Sequence, residues 1–213
     1  MSAAVQRMTD AGIVAVVRAP DPGGLVDVVA ALADGGVTVA EVTFTVPGAA
    51  EVIRAAKAQL GGRVLLGAGT VLDTETARLA ILAGAEFVVS PTLNFDVIRL
   101  CKRYGVPVLP GAYTPTEILA AWEAGADIVK VFPADALGPA FVRAMRGPLP
   151  QVRLMPTGGV DLSTAADFLA AGAVCLGVGS QLVEPVAVKT RDYARLTDLA
   201  RQYVAAVREA RQQ

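Results

Sequence analysis

The sequence predicts a (β/α)8 barrel, or TIM barrel: an α/β fold in which eight parallel strands alternate with helices. Short runs rich in β-branched residues alternate with Ala-rich amphipathic stretches, and this alternation repeats eight times. Glycine stands at the end of most helical stretches, where its left-handed conformation ends a helix and turns the chain back toward the sheet. Eight consecutive βα units are the number that closes this kind of barrel.

The eight predicted strands are residues 12–18, 37–44, 63–69, 86–90, 106–111, 127–132, 152–157 and 173–179. An amphipathic stretch of about ten to fifteen residues follows each strand and predicts a helix. A further helix, roughly residues 3–11, precedes the first strand and is placed to close the N-terminal mouth of the barrel. An open, doubly wound sheet is the alternative fold. Such sheets usually carry G-x-G-x-x-G after the first strand, where Ala19-Pro20-Asp21 stand here.

Length and charge narrow the class of protein further. The chain has 213 residues, of which 54% are hydrophobic, which is enough for a sizeable core. Eight βα units use this whole length, so residues 1–213 are expected to form a single barrel domain. Its 19 Lys and Arg residues nearly balance 20 Asp and Glu residues, and no basic cluster stands out. Nucleic acid is therefore not expected as a partner.

The scarcity of histidine and cysteine in this chain disfavours several kinds of site. There is no histidine, the commonest acid–base group and the usual zinc ligand, so no metal site is predicted. Cys101 and Cys175 are far apart in sequence and are expected to be buried free thiols. The longest uncharged span, residues 168–183, is short for a bilayer and contains three glycines, and no signal peptide is evident. A cytoplasmic protein without membrane contact is expected.

Four polar residues interrupt or end the predicted strands. Lys130 divides the apolar run I-V-K-V-F, Glu41 interrupts V-T-V-A-E-V-T-F, Arg18 ends the first strand, and Thr70 follows the third. In a (β/α)8 barrel, residues of one parity point into the interior, and catalytic groups collect at the C-terminal ends of the strands. The four side chains are therefore expected to converge on one mouth.

Lys130 and Glu41 have two interpretations, one structural and one catalytic. A strand-end lysine can extend its amine to water, and a Glu–Lys pair can be a structural ion pair. A buried pair gives little net stability, however, and a lysine amid apolar neighbours has a pKa lowered toward neutrality, as a nucleophilic amine requires. The second reading makes Lys130 a candidate nucleophile.

Glycine-rich loops follow the last two predicted strands. Pro156-Thr157-Gly158-Gly159-Val160 follows the seventh, and Gly177-Val178-Gly179-Ser180 follows the eighth. Phosphate sites in these barrels are commonly built from those two loops, where glycine amides can approach the oxygens closely. A phosphorylated substrate is therefore expected.

Seven short motifs, taken together and in order, resemble the 2-keto-3-deoxy-6-phosphogluconate (KDPG) aldolases, also described as 4-hydroxy-2-oxoglutarate aldolases. They are E-V-T (41–43), G-A-G-T-V (67–71), S-P (90–91), P-G (110–111), K-V-F-P-A (130–134), P-T-G-G-V (156–160) and G-V-G-S (177–180). The resemblance implies a class I aldolase without metal or cofactor, usually a homotrimer. Such an enzyme cleaves a phosphorylated 2-keto-3-deoxy sugar acid to pyruvate and glyceraldehyde 3-phosphate in the Entner–Doudoroff pathway.

The resemblance also implies roles for individual residues. Lys130 would form the Schiff base with the substrate ketone, and Glu41 would carry the proton transfers. The remaining positions would line the pyruvyl pocket (Thr70, Pro91, Phe132 and Thr157) or hold the phosphate (Gly158, Gly159, Gly179 and Ser180).

One position departs from the family pattern. Many relatives read E-V-T-x-R, with an arginine that grips the substrate carboxylate, whereas Thr45 stands at that position here. Arg18 is the candidate replacement, because a planar guanidinium matches a carboxylate bidentately; the alternative is a surface arginine that caps the first βα loop. Three other functions stay open: an aldolase for the 6-phosphogalactonate epimer, a phosphosugar epimerase that uses Lys and Glu as paired acid and base, and a non-catalytic scaffold.

Overall fold

The computed structural model describes residues 1–212. The helices are α1 (Ala3–Ala11), α2 (Leu25–Asp34), α3 (Ala49–Leu60), α4 (Thr74–Ala83), α5 (Phe95–Arg103), α6 (Pro115–Glu123), α7 (Gly138–Arg146), α8 (Ala165–Ala170), α9 (Pro185–Thr190) and α10 (Tyr193–Ala210). The strands are β1 (Ile13–Val17), β2 (Val39–Thr43), β3 (Leu65–Gly69), β4 (Val88–Val89), β5 (Val108–Leu109), β6 (Gly111–Ala112), β7 (Val129–Val131), β8 (Leu154–Pro156) and β9 (Leu176–Val178).

These strands form two sheets, so the prediction of a closed eight-stranded barrel is wrong. A six-stranded parallel sheet has the order β5-β4-β3-β2-β1-β9, and a three-stranded parallel sheet has the order β6-β7-β8. The fifth predicted strand is split at Pro110, which has no N–H to donate to a ladder. On the other side, β8 and β9 are joined by one isolated bridge between Thr157 and Gly177. No continuous ladder of backbone hydrogen bonds therefore closes the ring of described strands.

Side chains from both sheets nevertheless meet in one interior cluster. Its members are Val5, Met8, Val14, Val39, Leu65, Phe87, Val89, Leu109, Ile128, Met155 and Cys175. Val5 and Met8 belong to α1, which has the bounds expected from the sequence and begins with the Ser2 hydroxyl accepting a hydrogen bond from the Val5 N–H. Most of the other members lie near the N-terminal ends of their strands. The C-terminal ends are left to form the site.

The second apolar cluster lies between the strands and the surrounding helices. It is larger than the interior one and includes the opposite parity of the strands, for example Val129 and Val131 of β7. Cys101 and Cys175 are free and buried, as predicted, and burial raises the pKa of each thiol to about 12. None of the helices within residues 1–212 has both the length and the apolar character needed to cross a bilayer.

Candidate active site

A cavity of about 250 Å³ opens at the C-terminal ends of the strands. Ten of the eleven residues predicted for the site line it, all except Glu41. They are Arg18, Thr70, Pro91, Lys130, Phe132, Thr157, Gly158, Gly159, Gly179 and Ser180. The structure thus brings together Lys130 of β7 and residues that follow β1, β3, β4, β7, β8 and β9, although the described strands do not form one closed sheet.

Lys130 is the central residue of β7 and is 5% exposed. It pairs in register with Gly111 of β6 and Met155 of β8. Its parity is that of Ile128, which belongs to the interior cluster, and this places the side chain inside the ring of strands. The amine lies 4.9 Å from the centre of the Phe132 ring. The lysine therefore reaches the floor of the cavity from a rigid strand.

Burial favours the neutral form of this amine. It lowers the pKa of Lys130 below the usual value; the Glu41 carboxyl opposes the shift, and the Arg18 guanidinium adds to it. Within residues 1–212, the ion pairs include neither Lys130 nor Glu41. A lowered pKa without a bonded counter-ion increases the neutral, nucleophilic fraction of the amine near neutral pH.

Glu41 lies at the centre of β2 and is completely buried. Neither carboxyl oxygen has a hydrogen-bond partner among the described residues. Burial raises the pKa of this carboxyl, while the positive charges of Lys130 and Arg18 oppose the rise. Burying an unpartnered carboxyl opposes folding, so its presence beneath a cavity calls for a functional explanation.

The carboxyl of Glu41 fits where it does because Gly69 has no side chain. A Cβ atom added to Gly69 would lie 2.5 Å from Glu41 Oε1 and 2.7 Å from its Cδ. Such contacts are shorter than real structures tolerate, and the neighbour is the carboxyl end of Glu41. The G-A-G-T-V motif therefore leaves room for this carboxyl.

Gly69→Ala should lower kcat by roughly tenfold or more, because the methyl group displaces the Glu41 carboxyl and small misplacements of a catalytic group have large effects. Overpacking should also cost about 1–3 kcal/mol of stability. Steady-state kinetics and thermal unfolding measure the two effects. Gly62→Ala is the matched control, because no atom lies within 4 Å of its added Cβ. Equal kcat values for the two variants would show that Glu41 does not need this space.

Arg18 follows β1 and is exposed at the rim of the cavity. Its Nη2 donates a hydrogen bond of 3.3 Å to Thr70 Oγ1, and Thr70 is held in the left-handed region at φ 53°. Thr45, which replaces the family arginine, instead hydrogen-bonds through its hydroxyl to that of Thr43 at 2.8 Å. It lines a separate, smaller cavity beside Leu72. Arg18, rather than Thr45, is therefore placed to meet a ligand beside Lys130.

The two glycine-rich loops follow β8 and β9, the strands that lie between β7 and β1. Gly158 and Gly159 have φ values of 89° and 67°, a conformation that favours glycine. Among the hydrogen bonds of residues 1–212, none is donated by the backbone N–H groups of Gly159, Gly179 or Ser180. A Cβ on Gly179 would meet no atom within 4 Å, so the backbone is open to the cavity there. Free amides beside open space suit an anion.

Several cavity residues were not predicted from the sequence. They are Val16, Val160, Asp161, Gly177 and Gln181. Asp161 accepts hydrogen bonds from the Ser163 N–H and hydroxyl and from the Thr164 N–H, which hold the pKa of its carboxyl below the usual value. The sequence D-L-S-T (161–164) is typical of such a turn and could have indicated it.

Gly177 touches the Thr157 side chain closely, and any Cβ at this position would collide with the Thr157 hydroxyl. That hydroxyl is buried without a hydrogen-bond partner among the described residues. A polar atom left unpaired at the cavity wall is available to a ligand. Within residues 1–212, no group of three or more His, Cys, Asp and Glu side chains is placed to hold a metal ion.

A buried amine of lowered pKa, a buried carboxyl and a glycine-lined cavity at the C-terminal ends of parallel strands define an α/β enzyme site suited to carbonyl chemistry. Comparison with known proteins identifies the family. The model of the family described as "Aldolase: KDPG and KHG aldolase" matches residues 5–199. The chain belongs to this family, which confirms the resemblance seen in its motifs, and it is an aldolase, a lyase.

Individual relatives agree with this assignment. The 2-dehydro-3-deoxy-phosphogluconate aldolase of Treponema pallidum is 40% identical over 200 residues, 93% of each chain. The KDPG aldolase of Legionella pneumophila, with pyruvate captured as a covalent carbinolamine intermediate, is 26% identical with a TM-score of 0.87, covering 94% of this chain and 97% of that one. The aldolase of Zymomonas mobilis, with 3-phosphoglycerate, is 32% identical with a TM-score of 0.83, covering 94% and 95%.

Proposed function

We propose that the protein is a class I aldolase that cleaves 2-keto-3-deoxy-6-phosphogluconate to pyruvate and glyceraldehyde 3-phosphate, and that it also acts on 4-hydroxy-2-oxoglutarate. One observation carries this proposal: Lys130 is a buried amine of lowered pKa in an open cavity, and the buried carboxyl of Glu41 on β2 is close enough to influence that pKa. The names of the relatives support the choice of substrate.

The reaction begins at Lys130. Its neutral amine attacks the C2 ketone to give a carbinolamine, and loss of water gives an iminium ion. The cationic iminium accepts the electron pair of the C3–C4 bond when that bond breaks, so the pyruvyl part becomes an enamine and the other part an aldehyde. Protonation of the enamine carbon and hydrolysis of the iminium release pyruvate and restore the amine.

Glu41 is proposed to carry both proton transfers. As a carboxylate it accepts the C4 hydroxyl proton while the C3–C4 bond breaks, and as a carboxylic acid it returns a proton to the enamine carbon, through a water molecule where the distance requires it. Burial supports this role, because a raised pKa brings the two protonation states closer in energy at neutral pH. The absence of hydrogen bonds to its oxygens among the described residues leaves both free for this exchange.

The two ends of the substrate are proposed to bind different groups of the cavity. Arg18 takes the carboxylate, assisted by Thr70, while Thr157, Pro91 and Phe132 surround the pyruvyl part. Gly158, Gly159, Gly179 and Ser180 take the phosphate through backbone amides and the serine hydroxyl. The unpartnered hydroxyl of Thr157 supports a hydrogen bond to the substrate.

Borohydride trapping tests the proposed chemistry directly. Incubation with pyruvate and borohydride should add one pyruvyl unit per chain, and peptide mass spectrometry should locate it on Lys130. An epimerase that uses Lys and Glu as acid and base would give no adduct, and neither would a scaffold. A label on Lys57, Lys102 or Lys189 would show that another amine is the nucleophile.

Arg18→Leu should raise the pyruvate concentration for half-maximal trapping by roughly tenfold or more, because a charge-assisted contact is worth about 1.5–3 kcal/mol. The trapping pH profile should also move to higher pH, since the Arg18 charge lowers the pKa of Lys130. Thermal stability should hardly change, as the side chain is exposed. Arg54→Leu and Arg143→Leu, on exposed helical positions, are the controls. Unchanged trapping in Arg18→Leu would contradict this role for Arg18 and would indicate that the backbone near Gly69 and Thr70 binds the carboxylate.

We propose further that residues 1–213 form one domain, that the protein is cytoplasmic and works in the Entner–Doudoroff pathway, and that it assembles as a homotrimer.

Exposed apolar side chains support a subunit interface: Leu72 is 52% exposed, Leu82 63% and Phe95 44%. Analytical ultracentrifugation tests the trimer, and Leu72→Glu with Phe95→Glu should shift the protein toward monomer if these residues lie in the interface.

A further inference from the structure

A second cavity of about 460 Å³ lies beside the candidate active site. Its walls come from the loop between β1 and α2 and from α9 with the residue that follows it. We call it the α9 cavity, and its lining residues are Arg18, Ala19, Pro20, Asp21, Gly23, Pro185, Val188, Lys189 and Arg191. Arg18 lines both cavities.

The charges of the α9 cavity are unbalanced. Three cations, Arg18, Lys189 and Arg191, face one anion, Asp21. Asp21 already accepts a hydrogen bond of 2.8 Å from the Gly23 N–H. Ion pairs among the side chains of residues 1–212 include none of the three cations. Like charges that share a cleft without counter-ions attract anions from solution.

The remaining walls of the cavity are apolar. Ala19 and Pro20 lie on one side, and Pro185 and Val188 lie on the other. The backbone of Arg191 is held at the end of α9, where its N–H donates to the carbonyls of Ala187 and Val188. Its Nε would lie 3.8 Å from a Cβ placed on Gly24, the residue before α2. A ligand with an anionic head and a small apolar body matches both features.

We propose that the α9 cavity binds a phosphate monoester with a small apolar body, and that this ligand competes with the substrate carboxylate for Arg18. Arg18 is exposed, and its guanidinium makes one hydrogen bond among the described residues, a long one to Thr70. A dianion between Lys189 and Arg191 draws Arg18 toward the α9 cavity and away from the active site. Occupation of the α9 cavity therefore weakens carboxylate binding beside Lys130. The second half of this proposal rests on the role proposed for Arg18 in the aldolase.

Binding is measured by isothermal titration calorimetry with phenyl phosphate and with inorganic phosphate as probes. Wild-type protein should bind phenyl phosphate more tightly than inorganic phosphate, because only the former has a body for the apolar walls. The variant with Lys189→Ala and Arg191→Ala should bind phenyl phosphate roughly tenfold more weakly, as expected when two partly screened charge contacts are lost. The variant with Arg103→Ala and Arg208→Ala removes the same charge elsewhere and should bind like wild type.

Two results would overturn the site. Equal affinity of wild type and the Lys189/Arg191 variant for phenyl phosphate would place the bound probe at the glycine-rich loops of the active site. If the Arg103/Arg208 variant bound phenyl phosphate as weakly as the Lys189/Arg191 variant, the loss of affinity would come from the lower net charge of the protein and not from a specific site. Neither measurement uses catalysis, so the site can be tested even if the proposed aldolase mechanism fails.

Competition for Arg18 is tested by pyruvate trapping. Phenyl phosphate should raise the pyruvate concentration for half-maximal trapping several-fold in wild type, and this rise should disappear in the Lys189/Arg191 variant. Without phenyl phosphate, that variant should trap pyruvate like wild type. If phenyl phosphate binds but does not affect trapping, the binding site in the α9 cavity is supported and the proposed competition for Arg18 is wrong. Failure of wild type to trap pyruvate at all would contradict the proposed function instead.

Discussion

Lys130→Met should lower kcat by roughly 10⁴-fold or more and abolish borohydride trapping of pyruvate. Without the nucleophile, no Schiff base can form, so the whole covalent mechanism is lost. Methionine keeps an unbranched chain in a site that is 5% exposed and removes a buried amine, so the folded state should be at least as stable as wild type. Steady-state kinetics, mass spectrometry and thermal unfolding measure these outcomes.

Lys57→Met is the matched control for this experiment. Lys57 pairs with Glu86 at 2.7 Å on the half-exposed surface of α3, away from the cavity. Its replacement should leave kcat and trapping unchanged and cost at most about 1 kcal/mol. Substantial turnover by Lys130→Met would refute the assignment of Lys130. Loss of activity in both variants would point to a general effect of removing lysine.

Glu41→Gln should lower kcat by roughly 10²-fold or more, the usual weight of general acid–base catalysis. Glutamine keeps the shape of the side chain but cannot exchange the proton. Adduct formation should survive, and its pH profile should move to lower pH, because Glu41 raises the pKa of Lys130 and the variant removes that influence. Trapping rates measured across pH test the sign of the shift, which is opposite to that expected for Arg18→Leu.

Proton exchange separates the role of Glu41 from a structural one. The methyl protons of pyruvate should exchange with deuterium oxide in wild type through the enamine, and much more slowly in Glu41→Gln. Exchange at the wild-type rate would rule out Glu41 as the acid–base group. The shift of the trapping pH profile, in contrast, reports the charge of Glu41 near Lys130 and is expected whether or not Glu41 transfers protons.

The structure favours catalysis over a structural ion pair for these two residues. In a stabilising buried pair, the two groups would be bonded to each other and their remaining polar atoms satisfied. Here, among the described residues, the oxygens of Glu41 have no partner, and no ion pair joins it to Lys130. Such an arrangement opposes folding and persists only where another requirement maintains it.

The sequence by itself determined the elements and most of the cavity. Periodicity and glycine placement predicted eight strand segments, each of which contains at least one observed strand, and the helix Ala3–Ala11. The C-terminal ends of parallel strands lie at the same edge of a sheet, so the polar interruptions of the strands, the glycine-rich loops and the family motifs together predicted ten of the residues that line the cavity. These features are local, or follow from strand direction alone.

Only the tertiary structure decided how the strands join and what surrounds each polar group. Closure of a barrel depends on hydrogen bonds between distant strands, and the ladder is interrupted at Pro110, which has no N–H to donate, and is reduced to one bridge between β8 and β9. Likewise, only the fold shows that Gly69 makes room for the Glu41 carboxyl, and that Arg18 lies between two cavities. Steric space and pKa depend on neighbours from other parts of the chain, which periodicity does not encode.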